Sequence, residues 1–310
     1  MKGFLNKLLL FGGFAFITHV IAGYHMNGNT DTNYLRFTPS KNTGMILGNS
    51  RAAQAISPDD LKAHLGLFNA AFALNTSPYG EVYHRYIKKQ LNEEARDQVF
   101  VFCVDPWSLS SPFDPQTGQE GMVEESKFIA TTSSIADPNW EFMIEQYAYG
   151  WGNIIREHYR PTSGMFLHTN GWLEVNRVYD AARAEKRRAN KLKGYKAEVF
   201  VSNRPSDYRK RELRKMLQEM KGYGKVMMVR LPVHPDFFEM EQAFWPSFEN
   251  EMEQLAQEDG VFFWSPKELN TELPFNDGHH MNIKGSHRFG GLLNAKIDSL
   301  KTGGKDNRKS

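Results

Sequence analysis

The chain has 310 residues, of which 40% are hydrophobic and 13% aromatic, enough apolar material for one large domain or two small ones and too much for a disordered chain. With 38 basic against 36 acidic residues the formal charge is +2, so no global field points to nucleic acid as a partner. A single cysteine, Cys103, excludes an intrachain disulfide, and its apolar run Val99–Val104 marks it as a small core thiol in a buried strand.

In chain order, Lys2 and Lys7 lead into an apolar run from Leu8 to Ala22, broken only at Thr18 and His19. A positive start followed by an apolar stretch is the pattern of an export signal. Residues 1–22 therefore read as a signal peptide, with Val20-Ile21-Ala22 as a weak cleavage site, or as a retained anchor over residues 4–22 near the lower length limit for a span. Either option predicts a chain that is exported, periplasmic or otherwise extracytoplasmic, and bound to the inner membrane if the segment is kept. The polar, Asn- and Thr-rich stretch 23–42 reads as a linker, and 43–300 as the folded domain.

Four apolar runs within that domain predict strands at Met45–Leu47, Phe68–Ala73, Val99–Val104 and Val226–Leu231, with a weaker fifth at Val261–Trp264. Amphipathic segments at Val82–Leu91, Tyr208–Met220 and Met240–Gln257 predict helices between them. Strands alternating with helices predict an α/β fold with a central parallel sheet covered on both faces. The alternation breaks over about 108–204, which reads as an insertion after the third strand, lying over or beside the sheet rim. Inside it, Arg183 to Lys196 reads as a solvated basic helix face, and Trp140, Tyr147, Tyr149 and Trp151 fit core packing somewhat better than sugar stacking. The tail 301–310 is polar and reads as disordered.

In such sheets chemistry collects at the carboxyl ends of the strands. That rule gathers Ser50, Asn75, Asp105-Pro106-Trp107 and Arg230 on one rim. Far downstream, Asn276-Asp277-Gly278-His279-His280-Met281-Asn282 sets a carboxylate three positions ahead of an imidazole in a Gly-marked loop. Ser50, His280 and Asp277 are the groups a nucleophilic hydroxyl needs: an alcohol, a base, and an acid to steady the imidazolium. Each has a plainer reading: Ser50 as a helix cap, and Asp277 with His280 as a polar loop before a final helix capped by Asn282 or Ser286. His279 competes for the base role, although the three-residue offset favours His280 and leaves His279 to stack or face solvent. The ten histidines are scattered, so no metal site is expected and no cofactor is required; His168 and His234 read as structural.

Together these residues resemble the SGNH hydrolases, also called GDSL-like esterases. The family's first block, a strand followed by Gly-Asp-Ser, stands here as Gly48-Asn49-Ser50; its last, Asp-x-x-His, stands as Asp277-Gly278-His279-His280, followed by Met281-Asn282 and Gly285. The similarity spans roughly Gly44 to Leu300. It implies a flavodoxin-like three-layer fold, Ser50 as nucleophile, His280 as base and Asp277 as its partner. Two blocks depart from the family. The second, Asn69 to Ser77, lacks the oxyanion-hole glycine, so the N–H of Leu74 or Asn75 would have to serve. The third has Asp105 in place of a donor Asn, leaving Asn75 or Arg230 to substitute. The export signal together with these departures resembles the cell-envelope SGNH-like proteins of bacteria. That resemblance implies an acylated carbohydrate or acyl-ester substrate and a membrane-bound O-acyltransferase as partner. The alternative is a weakly active or inactive member of the fold that binds polysaccharide during export or modification.

Overall fold

The computed structural model describes residues 1–24, 26–38, 42–61, 66–73, 78–146, 152–154, 156, 164–176 and 180–306. Five short apolar runs build the central sheet: β1 Gly44–Leu47, β2 Phe68–Asn69, β3 Gln98–Cys103, β8 Gly224–Val229 and β9 Phe262–Trp264. All pairs are parallel, in the order β2-β1-β3-β8-β9. The five strands fall on the expected apolar runs: β2 stops early at Asn69 and β9 begins at Phe262 rather than Val261, β1 takes in Gly44, and β3 and β8 are displaced towards the amino terminus by one and two residues.

A parallel sheet must bury both faces, and alternation along each strand divides the core in two. Met45, Leu47, Phe100 and Phe102 point to one side, against the helices Glu81–Gln90, Asp207–Lys221 and Phe248–Asp259. Ile46, Val101, Cys103 and Val229 point to the other, against the helix Ser50–Ala55 and the final helix Ile283–Asp306. The result is an α/β architecture with helices on both faces. The amphipathic segment expected as one helix over Met240–Gln257 forms two, Pro235–Phe244 and Phe248–Asp259. Pro246 lies at the break, where it lacks the N–H that a continuous helix would use and pushes Trp245 out of helical geometry.

Among its described residues the insertion adds two small antiparallel ladders, β4 Ser110–Pro112 with β7 Asn203–Pro205, and β5 Met165–Leu167 with β6 Leu173–Val175. It is tied to the sheet domain by a buried clasp. Arg209, on the helix Asp207–Lys221, makes a bidentate pair with Glu124 at 2.9 Å on both nitrogens and also donates to the Tyr79 carbonyl and Ser111 Oγ.

The segment 23–42 is not a free tether among its described residues. Tyr34, Arg36 and Phe37 are buried, and Phe37 packs its ring against Phe72, Tyr86 and Phe142. The apolar helix Lys2–Tyr24, which runs into this segment, stands with its side chains largely exposed, and Lys2–Ile21 is long and apolar enough to cross a membrane. Its last residue, Tyr24, meets Trp140 edge to face, so Trp140 lies at that helix end, 41% exposed, rather than in the core. Tyr147, Tyr149 and Trp151 lie outside the described residues. The tail from 301, expected to be disordered, continues the final helix to Asp306.

Candidate active site

β1 ends at Gly48, whose φ of +146° and close approach to Ala52 and Cys103 leave no room for a side chain. The chain turns there into the helix Ser50–Ala55. Asn49 is its N-cap, its Oδ1 accepting the Arg51 N–H at 2.9 Å. Because Asn49 fills that role, Ser50 is not the cap, and its hydroxyl is left for another partner. β1 also marks the point where the sheet's connections change direction, β2 on one side and β3 on the other, and a crevice forms at such a switch point.

The loop after β9 approaches from the other side. Gly278, with φ +75°, makes the turn that doubles the chain back. Asp277 Oδ1 then accepts the N–H groups of His279 at 3.0 Å and His280 at 2.7 Å, which fixes the loop on its own acid. Asn282 caps the following helix through the Gly285 N–H at 2.9 Å.

These two turns bring the three sequence-predicted groups together. His280 Nε2 lies 3.0 Å from Ser50 Oγ, and His280 Nδ1 lies 3.0 Å from Asp277 Oδ2. Ser50 remains partly exposed while His280 is buried. Burial pulls the His280 pKa down; Asp277 opposes this, while Lys191 and Arg51 add to it, and the net direction is downward. A neutral imidazole is the form that accepts a proton. Burial pushes Asp277 upward, but His280, Lys191 and the backbone N–H outweigh it and hold the carboxyl well below its usual range.

His279 does not compete for Ser50. It is buried, with its ring stacked on Phe237 at 5.4 Å, and Tyr195 meets it edge-on with the hydroxyl 3.3 Å away. Burial, with Arg51, His280 and Lys191 nearby, keeps it neutral.

The other sequence-predicted residues occupy different places. Leu74 and Asn75 lie outside the described residues. Asp105, at the end of β3, accepts from the Asn49 amide at 2.9 Å and from the Ser108 N–H at 2.7 Å, and lies 3.5 Å from an Arg51 nitrogen. It therefore ties the two strand ends together beside Ser50. Arg230 is buried with Glu241 and Glu249, each at 3.1 Å, and its guanidinium lies over Phe238 and Phe248. Glu241 also binds Arg51. Asp105, Arg51, Glu241, Arg230 and Glu249 thus form a buried chain of alternating charges under the rim, and Arg230 is committed to it.

The basic stretch Arg183 to Lys196, read from sequence as a solvated face, presents a different side to the site. The helix Ala181–Gly194 directs Arg187 to the Asn276 carbonyl at 2.9 Å and Lys191 to Asp277 at 3.0 Å. Its continuation carries Tyr195 to His279. Ala184, Leu192 and Tyr195 fall on one helical face among the charges, and they are the signal that this face turns inward. His234 accepts the Asp236 N–H at the start of the helix Pro235–Phe244, and His168 pairs with Glu174 at 2.9 Å. Among the described residues, no group of three or more His, Cys, Asp or Glu side chains could hold a metal ion.

Comparison of the chain with protein-family models, with curated proteins and with solved structures finds no match.

Proposed function

We propose that the chain is an exported serine ester hydrolase or O-acyltransferase of the SGNH type, acting on an acylated cell-surface carbohydrate. The observation that carries this reading is the continuous relay from Ser50 Oγ through both nitrogens of His280 to Asp277, with each step at 3.0 Å. The sheet supports it: in order of appearance its strands run 2-1-3-4-5, the flavodoxin-like order whose ligands bind at the switch point where Ser50 sits. The apolar N-terminal helix supports export or anchoring through residues 4–22.

The proposed chemistry has two steps. Ser50 Oγ attacks the ester carbonyl as its proton passes to His280 Nε2, while Asp277 steadies the imidazolium that forms. Backbone N–H groups of Ser50 and of Leu74 or Asn75 receive the oxyanion. The alcohol leaves with the proton from His280, and the acyl group remains on Ser50. Water releases it in a hydrolase; a sugar hydroxyl accepts it in a transferase, with His280 again taking the proton. A membrane-bound O-acyltransferase is the partner this reading expects on the acyl-donor side.

One observation favours a second reading, a binding or assembly protein with little catalysis. Asp105 holds the position of the family's donor Asn, and a carboxylate engaged by Asn49, Arg51 and Ser108 donates nothing to an oxyanion. A missing oxyanion donor costs about 2.7 to 4 kcal/mol of transition-state stabilisation.

Hydrolysis of an aryl acetate and of an acetylated polysaccharide, with the native protein and with Ser50→Ala, separates the two. The enzyme reading expects the variant to lose at least about 10³-fold in kcat on one of them. Equal rates for both proteins remove Ser50 from any reaction.

A further inference from the structure

The basic helix Ala181–Gly194 delivers a third charged group to the imidazole and its carboxylate. Lys191 Nζ lies 3.0 Å from Asp277 Oδ2 and 3.2 Å from His280 Nδ1, and Nδ1 is 3.0 Å from that same oxygen. The three atoms form a nearly equilateral triangle. The second oxygen of Asp277 is already occupied by the N–H groups of His279 and His280. The ammonium and the ring N–H therefore share one acceptor. Lys191 is held there by its own neighbours: Arg187 donates to the Asn276 carbonyl at 2.9 Å, Arg188 pairs with Asp236 at 3.1 Å, and Tyr195 lies against His279.

We propose that Lys191 is a positioning residue of the triad, which shares Asp277 Oδ2 with His280 and thereby sets how firmly the carboxylate holds the imidazolium. This rests on the acyl-transfer reading above. When the Ser50 proton reaches Nε2, the ring gains a positive charge whose Nδ1–H lies 3.2 Å from an ammonium. The repulsion opposes protonation, so the base stays available under more acidic conditions than an Asp–His pair alone allows.

Among the described residues, the charged and titratable groups around the ring are Asp277 and His279 from its own loop, Lys191 and Tyr195 from the insertion, and Arg51 beside Ser50. Arg51 is balanced by Asp105 and Glu241 in the buried chain. The Asp277 oxygen that meets Lys191 at 3.0 Å is the same one that serves the ring. Neutralising Lys191 therefore alters the charge balance at His280 without disturbing the elements that carry Ser50.

The test is the titration of the His280 imidazole by NMR in the native protein and in Lys191→Met, Lys191→Gln and Lys191→Arg, alongside the pH profile of kcat/KM on an aryl acetate. Lys191→Met and Lys191→Gln are expected to raise the His280 midpoint by about one pH unit, and Lys191→Arg to leave it near the native value. The acid limb of the rate profile moves by the same amount, about tenfold in kcat/KM at a pH below the limb, while the alkaline plateau changes less. A midpoint that stays put in Lys191→Gln, or that moves equally in Lys191→Arg, overturns the proposal. The imidazole titration reads Lys191 even if Ser50→Ala proves fully active, so failure here and failure of the acyl-transfer reading are told apart.

Discussion

The sheet and the insertion hold their functional residues by different means. Ser50 sits where it does because β1 stops at Gly48, Asn49 caps the next helix, and Asp105 on the neighbouring strand end accepts the Asn49 amide. Those partners are short side chains at strand ends, and the sheet register leaves them little freedom. The insertion is fastened by long side chains reaching across: Arg209 to Glu124, Arg188 to Asp236, and Lys191 to Asp277. The lesson is that the sheet fixes where Ser50 lies, while the charge around His280 is completed by a segment packed on from outside.

The most severe way to break that division is to cut the clasp. Arg209→Met leaves the Glu124 carboxylate buried without its cation, and breaking a buried pair from one side costs about 3 to 5 kcal/mol. Urea denaturation checks it. Adding Glu124→Leu removes the stranded charge and is expected to restore at least half of the loss. A loss below about 1 kcal/mol in the single variant means the insertion is held by its aromatic packing, chiefly Phe128 and Phe142 on Phe37, and not by charge.

The Asn49–Asp105 bond sharpens the other half of the comparison at a smaller scale. Asn49→Asp sets two carboxylates where an amide now donates at 2.9 Å, and is expected to cost about 1 to 3 kcal/mol. Combining it with Asp105→Asn reverses the polarity of the bond, with the amide now at 105, and is expected to recover most of the stability. A double-mutant cycle with no coupling would show that the two strand ends are set by the backbone alone.

Much of this molecule was legible beforehand, for identifiable reasons. Apolar runs such as Val99–Val104 and Val226–Leu231 announce parallel strands because both faces of such a sheet are buried. The residues at their carboxyl ends follow from the same rule, and Asp277 with His280 from the chemistry a hydroxyl requires. Lys191 was not legible, since a lysine in a basic run looks the same whether it faces water or a carboxylate 86 positions away. Arg230 misled for the converse reason. A cation at a strand end suits an oxyanion, and only the fold reveals that Glu241 and Glu249 already claim it. The amphipathic pattern continues on both sides of Pro246, so it reads as one helix where the chain forms two.

The two regions meet at one ring, the imidazole of His279. His279 belongs to the loop after the sheet, stacks on Phe237 and receives Tyr195 from the insertion side. Burial holds it neutral, with a folded pKa well below 6.5, and His280 is lowered as well. The sign follows from proton counting. Below about pH 6.5 the unfolded chain binds protons at these two positions that the folded chain does not, so stability is full above that pH and falls as the medium becomes more acidic. Each ring contributes a slope of up to about 1.4 kcal/mol per pH unit until its folded pKa is reached. Asp277, also lowered, gives stability that is present above about pH 4 and is lost only at lower pH, so it does not blur this window. His279→Phe keeps an aromatic ring between Tyr195 and Phe237 but cannot take up a proton. Urea midpoints at pH 7.5, 6.0 and 5.0 are expected to show a shallower loss on acidification than in the native protein, with His280 and His234, both also lowered, still contributing. An unchanged slope would place the acid sensitivity outside this seam, and would mean that the ring is not protected by the insertion in the way its burial implies.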